Sequence, residues 1–286
     1  MKNVLVTGAN GQLGTCIKDM VSDGSEVHYV FVSKDELSIT DTSALQNYFK
    51  KTKFDYCINT AAYTQVDQAE KEAEAAYAIN AEGVKNLAEV CQENNTTLIH
   101  ISTDYVFDGN STQPYRETDA TNPINVYGAS KLAGERYVEN ICSAYYILRT
   151  SWLYSQYGQN FLKTILKHGK LGTELKITTE QIGTPTNAND LAKIACLLVE
   201  REHIPYGVYH FSNQGRATWY DFAKEILLKA SDLSTANLAK TDHYRTFAAR
   251  PKFSVLHTEK LQKALGIQMK PWKERVAAVI TILENN

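Results

Sequence analysis

The stretch Val4-Leu5-Val6-Thr7-Gly8-Ala9-Asn10-Gly11-Gln12-Leu13-Gly14 decides the fold. Val4 to Thr7 is a short, continuously apolar run of the kind a parallel strand buried on both faces requires. The glycines then break the extended chain, and Leu13 to Val21 has the composition of a helix. A strand, a glycine-spaced turn and a helix in direct succession form an anion site, because the first amides of the helix point at a phosphate. Gly8 is expected to make the tight turn, Gly11 to let the backbone approach a pyrophosphate, and Gly14 to let the helix pack close to the strand. The spacing is GxxGxxG rather than GxGxxG.

Outward from this unit, strands and helices alternate. Val27 to Val32, Tyr56 to Asn59, Thr97 to Ser102 and Tyr145 to Arg149 read as further strands. Ser43 to Phe49 is a helix with Thr42 as its candidate N-cap, a long Ala/Glu-rich stretch from Ala69 to Cys91 reads as another, and Tyr127 to Val138 as a third. Alternation of this kind predicts a Rossmann-like, doubly wound parallel α/β sheet. After about residue 150 the pattern loosens. Helices are expected from Asn160 to His168, after a cap at Asn187-Ala188-Asn189-Asp190, from Thr218 with Phe222, Ile226 and Leu227 on one face, and from Pro271 as first helical residue. The expected organisation is a dinucleotide-binding domain over 1–150, to which later segments may return, and a smaller α/β substrate lobe over 151–286.

A chain of 286 residues with 43% hydrophobic and 22% charged residues can bury a sizeable core. A formal net charge of -2 gives no reason to expect nucleic acid or an anionic membrane as partner. The Lys50, Lys51 and Lys53 cluster reads as a solvated helix end. With a strand starting at Asn3 there is no space for a signal peptide, and no apolar run reaches membrane-spanning length, so a cytoplasmic location is expected. The five cysteines are scattered without CxxC, and the seven histidines lack metal spacing, so neither a disulfide framework nor a metal is expected.

Tyr127 and Lys131 stand one helical turn apart, downstream of a strand ending Ile101-Ser102-Thr103. Reducing a carbonyl needs a hydride at carbon and an acid at oxygen. A lysine at i+4 lies within reach of the phenol and is expected to lower its pKa, while Thr103, with Ser102 second, would orient the substrate oxygen at the carboxyl end of the sheet. Tyr220 and Lys224 have the same spacing, so the spacing alone offers two candidates. Only the first lies beside the glycine turn and the strand end; the second reads as packed helix. After the second strand comes Ser33-Lys34 in place of the acid that holds a ribose in NAD sites, which favours NADP(H), with NAD(H) use left open by Asp35 and Glu36.

These residues carry a resemblance. Val6 to Gly14, Asn59-Thr60-Ala61-Ala62-Tyr63-Thr64-Gln65-Val66-Asp67, Asn80-Ala81-Glu82-Gly83, Ser102-Thr103-Asp104-Tyr105-Val106-Phe107-Asp108-Gly109, Tyr127 to Glu135, Leu148 to Trp152 and Gln181 to Thr186 are similar to the extended short-chain dehydrogenase/reductases. Within that group the chain resembles the dTDP-4-dehydrorhamnose reductases. The resemblance implies NADPH-dependent reduction of the 4-keto group of dTDP-4-dehydro-6-deoxy-L-mannose to dTDP-L-rhamnose, a donor for surface polysaccharides. It implies Tyr127 as proton donor, Lys131 as its tuner and a ribose ligand, and Thr103 as the orienting hydroxyl. Gly8, Asn10, Gly11, Gln12, Leu13, Gly14, Ser33, Lys34, Ile39, Ala61, Ala62 and Tyr63 would hold the cofactor. Asn80 would brace Lys131 through water, and Val66, Asp104, Tyr105 and Trp152 would line the sugar.

The chain departs from the family's pattern at two places. Ser38 stands where many members have an aspartate toward adenine, and Thr15-Cys16 where some have a glutamate of a magnesium-linked dimer. No metal-linked pairing is therefore expected, and monomer and homodimer stay open. Other nucleotide-sugar reductases or epimerases, and a non-catalytic NADP-binding regulatory subunit, are the rival readings. The nucleobase is not fixed by the residues, although Asn160-Phe161, Arg216 and Arg250-Pro251 are the candidates to meet it.

Overall fold

The computed structural model describes residues 1–21, 27–242 and 246–285. The sheet is built on β1 (Lys2–Thr7), β2 (Val27–Val32), β3 (Tyr56–Asn59), β4 (Thr97–Thr103) and β5 (Tyr145–Thr150), all paired in parallel. A sixth strand, Gly207–His210, pairs in parallel with β5 and completes the order 207–210, β5, β4, β3, β1, β2. Sequence periodicity had not marked this strand: four residues are too few to show alternation, and it returns to the sheet from within the C-terminal half. The strand order reverses between β1 and β3, the position where open parallel sheets open a crevice at their carboxyl ends.

Each expected strand is present, and the helices are present with altered bounds. Helix α1 (Gln12–Met20) begins at Gly11 with no side-chain cap, so its first amides stay available to an outside acceptor. Helix α2 (Thr42–Lys51) is capped by Asp41, whose carboxylate accepts from the Ala44 N–H, rather than by Thr42. An acceptor two to three residues ahead of the free amide is what the cap geometry needs, and Asp41 has it.

The expected Ala69–Cys91 helix is interrupted. It resolves into α3 (Val66–Ala69), α4 (Ala73–Tyr77), a π-helical turn (Ala78–Glu82) and α5 (Gly83–Glu93). A π turn inserts one residue per turn without changing composition, so only the fold reveals it. Helix α6 (Val126–Ile141) starts from Asn125, whose side chain accepts from the Gly128 N–H at 2.7 Å.

Helices α7 (Phe161–Lys170), α8 (Ala188–Glu200), α9 (Trp219–Lys229), α10 (Glu259–Leu265) and α11 (Trp272–Glu284) follow. Asn187 caps α8, Thr218 and Asp221 form a reciprocal capping box on α9, and Pro271 sits one residue before α11 rather than inside it. Helix α10 and the parallel pair Leu175–Thr178 with Leu238–Thr241 are additional to the elements expected from sequence.

The core is divided. Val4, Val6 and Leu13 pack with Leu191, Leu198 and Leu261, so α8 and α10 cover one face of the sheet. Leu5, Leu45, Leu87 and Val138 fill the other face. A separate cluster joins Tyr154, Leu162, Phe222, Trp272 and Val276. No helix among the described residues is long and apolar enough to cross a membrane. The cysteines are all buried and free.

Candidate active site

The glycine turn is rigid by contact. Gly8 has φ +67°, and a Cβ there would come within 2.6 Å of the Ala61 nitrogen. At Gly14 a Cβ would meet Ala9 at 2.7 Å, so its role is to bring α1 onto the turn. A cavity of about 480 Å³ opens against Gly8, Asn10, Gly11, Lys34, Ile39 and Ala61, with Ser38, Thr40 and Ala62 on its rim. Lys34 is exposed and faces this cavity. Glu36, by contrast, turns back to accept from the Ser33 N–H at 2.7 Å, so neither it nor the Ser33 side chain lines the cavity.

A second cavity of about 580 Å³ continues from the first through Asn10, Gly11, Thr60 and Ala62. It brings together Gln12, Leu13, Val66, Thr103, Asp104, Tyr105, Tyr127, Lys131 and Trp152. Tyr63 lines neither cavity: its hydroxyl donates to Glu72 at 2.7 Å, and its backbone is held by Asn80. Asn80 sits fully buried in the π turn and donates to Ser130 Oγ at 3.0 Å. Ser130 is the helix residue preceding Lys131.

Position on α6 aims Tyr127 and Lys131, the candidate catalytic pair, into the second cavity. The Asn125 cap fixes the helix start, and at Gly128 a Cβ would lie 2.1 Å from the Tyr105 carbonyl oxygen, so α6 and the Asp104–Val106 turn are in direct contact. Tyr105 meets Tyr127 edge to face at 5.8 Å between centroids. Burial pushes the Tyr127 phenol up to about 12; the Thr103 hydroxyl pulls against this and the Asp104 charge adds to it. Burial is the largest of these influences, so the direction is opposite to the lowering expected from Lys131, and the phenol stays protonated at neutral pH. Lys131 is itself lowered to about 8 by burial, with Glu135 opposing. Its Nζ donates to the Ile101 carbonyl at 2.6 Å and lies 3.4 Å from His100 Nε2.

Thr103 donates to Asp104 Oδ1 at 3.1 Å and accepts from the Tyr105 N–H. The other Asp104 oxygen is buried without a hydrogen-bond partner, and burial raises the carboxyl to about 7 despite the nearby Ser254 and Thr103 hydroxyls. Trp152 has φ +45°, a left-handed conformation costing a non-glycine residue about 1–3 kcal/mol. Its ring stacks on Trp219 at 3.6 Å and lies against Gly183.

Trp219 and Arg250 connect the second cavity to a third of about 320 Å³, lined also by Phe161, Lys176, Ile177, Thr178 and Gln181. Asn160, at the junction, donates to Gln12 in the glycine turn at 2.8 Å. Of the candidates for base contact, Phe161 and Arg250 line this end. Arg216 is exposed and borders none of the three cavities. Trp219 and Gln181 had no separate signal in the sequence beyond their helix and loop contexts. Among the described residues no His/Cys/Asp/Glu group could hold a metal.

Residues 1–285 match the RmlD substrate binding domain family. The chain belongs to the RmlD family. A dTDP-4-dehydrorhamnose reductase of Aggregatibacter actinomycetemcomitans is 39% identical over 96% of both chains. A dTDP-4-keto-6-deoxy-D-glucose reductase of Streptomyces niveus is 34% identical over 98% of this chain and 96% of its own. A crystal structure of dTDP-4-dehydrorhamnose reductase from Bacillus anthracis in complex with NADP superposes with TM-score 0.93 at 39% identity, covering 99% of this chain and all of the other. RmlD membership agrees with the Rossmann-like sheet.

Proposed function

We propose that the chain reduces the 4-keto group of dTDP-4-dehydrorhamnose with NADPH, giving dTDP-L-rhamnose. The observation that carries this reading is the meeting of Thr103, Tyr127, Lys131 and Trp152 on one cavity continuous with the glycine turn. The residues fit NADP: uncapped α1 amides and close-packed glycines suit a pyrophosphate, and Lys34 suits the additional phosphate. When bound, the nicotinamide supplies the hydride. Thr103 holds the substrate carbonyl oxygen, and Tyr127 gives that oxygen its proton as charge develops there. Lys131, one helical turn away, stabilises the phenolate left behind when it is charged and can return a proton to it. NADH remains usable, since no group facing the Lys34 cavity excludes it.

The sugar is assigned to the Trp152 side, where an aromatic face suits a deoxy methyl group, and the nucleotide to the cavity beyond Trp219. In this division the 1–150 part with its returning segments binds the dinucleotide, and most of 151–286 binds the nucleotide sugar. All these residues come from one chain, so a monomer is sufficient and a homodimer compatible. A cytoplasmic site of action goes with this reading.

A second reading rests on the Streptomyces relative: the substrate would be the 4-keto-6-deoxy-D-glucose epimer, which differs in configuration at the sugar ring. Turnover of both dTDP-ketosugars, followed by NADPH and NADH oxidation, separates the two. Tyr127→Phe is expected to reduce turnover about 10²–10⁴-fold while keeping NADPH binding. Wild-type turnover in that variant would refute the catalytic assignment.

A further inference from the structure

Beneath Lys131 lies a buried polar chain that the reaction, as derived above, does not use. Thr7, Asn59, His100 and Lys131 are each at most 2% exposed and come from β1, β3, β4 and α6. Asn59 Oδ1 accepts from Thr7 Oγ1 at 2.8 Å and from the Ala61 N–H at 3.1 Å. A backbone N–H can only donate, so this contact fixes which end of the Asn59 amide is oxygen. The amide nitrogen therefore faces His100 Nδ1, at 3.1 Å, and Nδ1 must be the acceptor. A neutral imidazole has one acceptor and one N–H, so His100 carries its proton on Nε2. Burial holds the ring neutral by pushing its pKa well down, and Lys131 adds to this while it is charged.

That proton points at Lys131 Nζ, 3.4 Å away. A neutral amine can accept it on its lone pair while donating to the Ile101 carbonyl, and keeps one N–H for the cavity. An ammonium has no lone pair, and its third N–H would oppose the His100 N–H. The charged and titratable groups around the lysine are Tyr127 and Glu135 on its own helix, Arg149 of β5 paired with Glu135, His100 of β4 and Asp104 of the following turn. Only Glu135 among them favours the ammonium directly.

We propose that His100, locked by Asn59 as the Nε2–H tautomer, is a positioning residue that fixes Lys131 Nζ against β4 and disfavours its ammonium form, so that the lysine passes readily between charged and neutral states. The chain ends at Thr7 and the Ala61 amide, so it anchors the lysine and does not conduct protons onward. A reductase that gives up one phenol proton per turnover has use for such a lysine, because it can return a proton to the phenolate at neutral pH. This inference rests on the reductase reading of the same site.

The direct test is ¹⁵N NMR of histidine-labelled enzyme loaded with NADP⁺, between about pH 6 and 9. The expected result is a His100 ring with Nε2 protonated and Nδ1 bare throughout. An Nδ1–H tautomer or an imidazolium in that range overturns the proposal, whether or not the protein turns over a ketosugar. A variant gives the functional readout. Asn59→Asp presents a second acceptor to Nδ1 and should move the proton there, so that Nε2 accepts from the ammonium. The alkaline limb of kcat/KM should then move up by about one pH unit, and return toward wild type when His100→Phe is added. An unmoved limb in Asn59→Asp, or a shift retained in full by the double variant, overturns the tautomer mechanism. Absence of turnover in wild type would instead refute the reductase reading and leave the NMR result standing.

Discussion

Trp152 and Trp219 stack with their ring centroids 3.6 Å apart and their planes 7° from parallel. One follows β5 at the carboxyl edge of the sheet, and the other opens α9. The pair therefore joins the sheet to the C-terminal cluster at the point where the second and third cavities meet. Gln181 fixes the second ring by accepting from the Trp219 indole N–H at 2.9 Å. Trp219→Ala removes the support of a strained Trp152 as well as a wall of both cavities. We expect KM for the dTDP-sugar to rise about tenfold or more, with KM for NADPH unchanged, and a stability loss of about 1–3 kcal/mol. Steady-state kinetics in both substrates checks this; equal changes in both KM values would contradict it.

Lys34 is the cation lining the cavity at the glycine turn, while Glu36 is held by the Ser33 N–H. The carboxylate that would favour an unphosphorylated ribose is thus turned away and the positive charge is left in place. Lys34→Ala should raise KM for NADPH about tenfold, the value of one exposed charge-assisted contact, and leave KM for NADH nearly constant. A parallel loss with both cofactors would assign Lys34 to the surface.

The sheet and the site were legible to different depths. Local apolar runs revealed β1 to β5, and the glycine turn showed where the sheet opens, because both are properties of neighbouring residues. Strand 207–210 was hidden, since its pairing with β5 is made across some sixty intervening residues. The π turn that buries Asn80 leaves composition unchanged, so the sequence read as one long helix. Tyr127, Lys131 and Thr103 stood out by type and context. His100 and Asn59 read only as strand residues, as their meaning depends on β3 and β4 lying side by side.

Asp104 links the site to stability. Its carboxyl rises from the ordinary 3.8 to about 7 in the fold, mainly by burial. Below the ordinary value the group is neutral in both folded and unfolded chains and costs nothing. As the pH rises toward the folded value, the unfolded chain gains by ionising, so stability falls across that window and stays lower above it. Asp104→Asn removes the ionisation. The variant should be more stable than wild type by about 1–3 kcal/mol at pH 8, with the gap closing near pH 4. Urea denaturation at the two pH values checks the sign; a gap independent of pH would place its origin elsewhere.

The last relationship lies one turn beyond the lysine. Glu135 on α6 receives Arg149 of β5 through two nearly parallel bonds, Nε to Oε1 at 2.9 Å and Nη2 to Oε2 at 2.7 Å, with side-chain exposures of 0% and 5%. The guanidinium also lies over the Phe107 ring at 5.2 Å and close to His210, which burial and that same charge lower to about 3. Phe107 and a neutral His210 thus both flank an intact ion pair. Glu135→Gln leaves the guanidinium in a dry interior without its counter-charge, and should cost about 3–5 kcal/mol. Replacing both partners, Glu135→Leu with Arg149→Met, removes the unpaired charge and should recover much of that loss. The same single substitution removes the carboxylate that favours charged Lys131 and so should move the alkaline limb of kcat/KM down. A stable Glu135→Gln variant with an unmoved limb would show that the pair neither holds α6 to the sheet nor tunes the lysine.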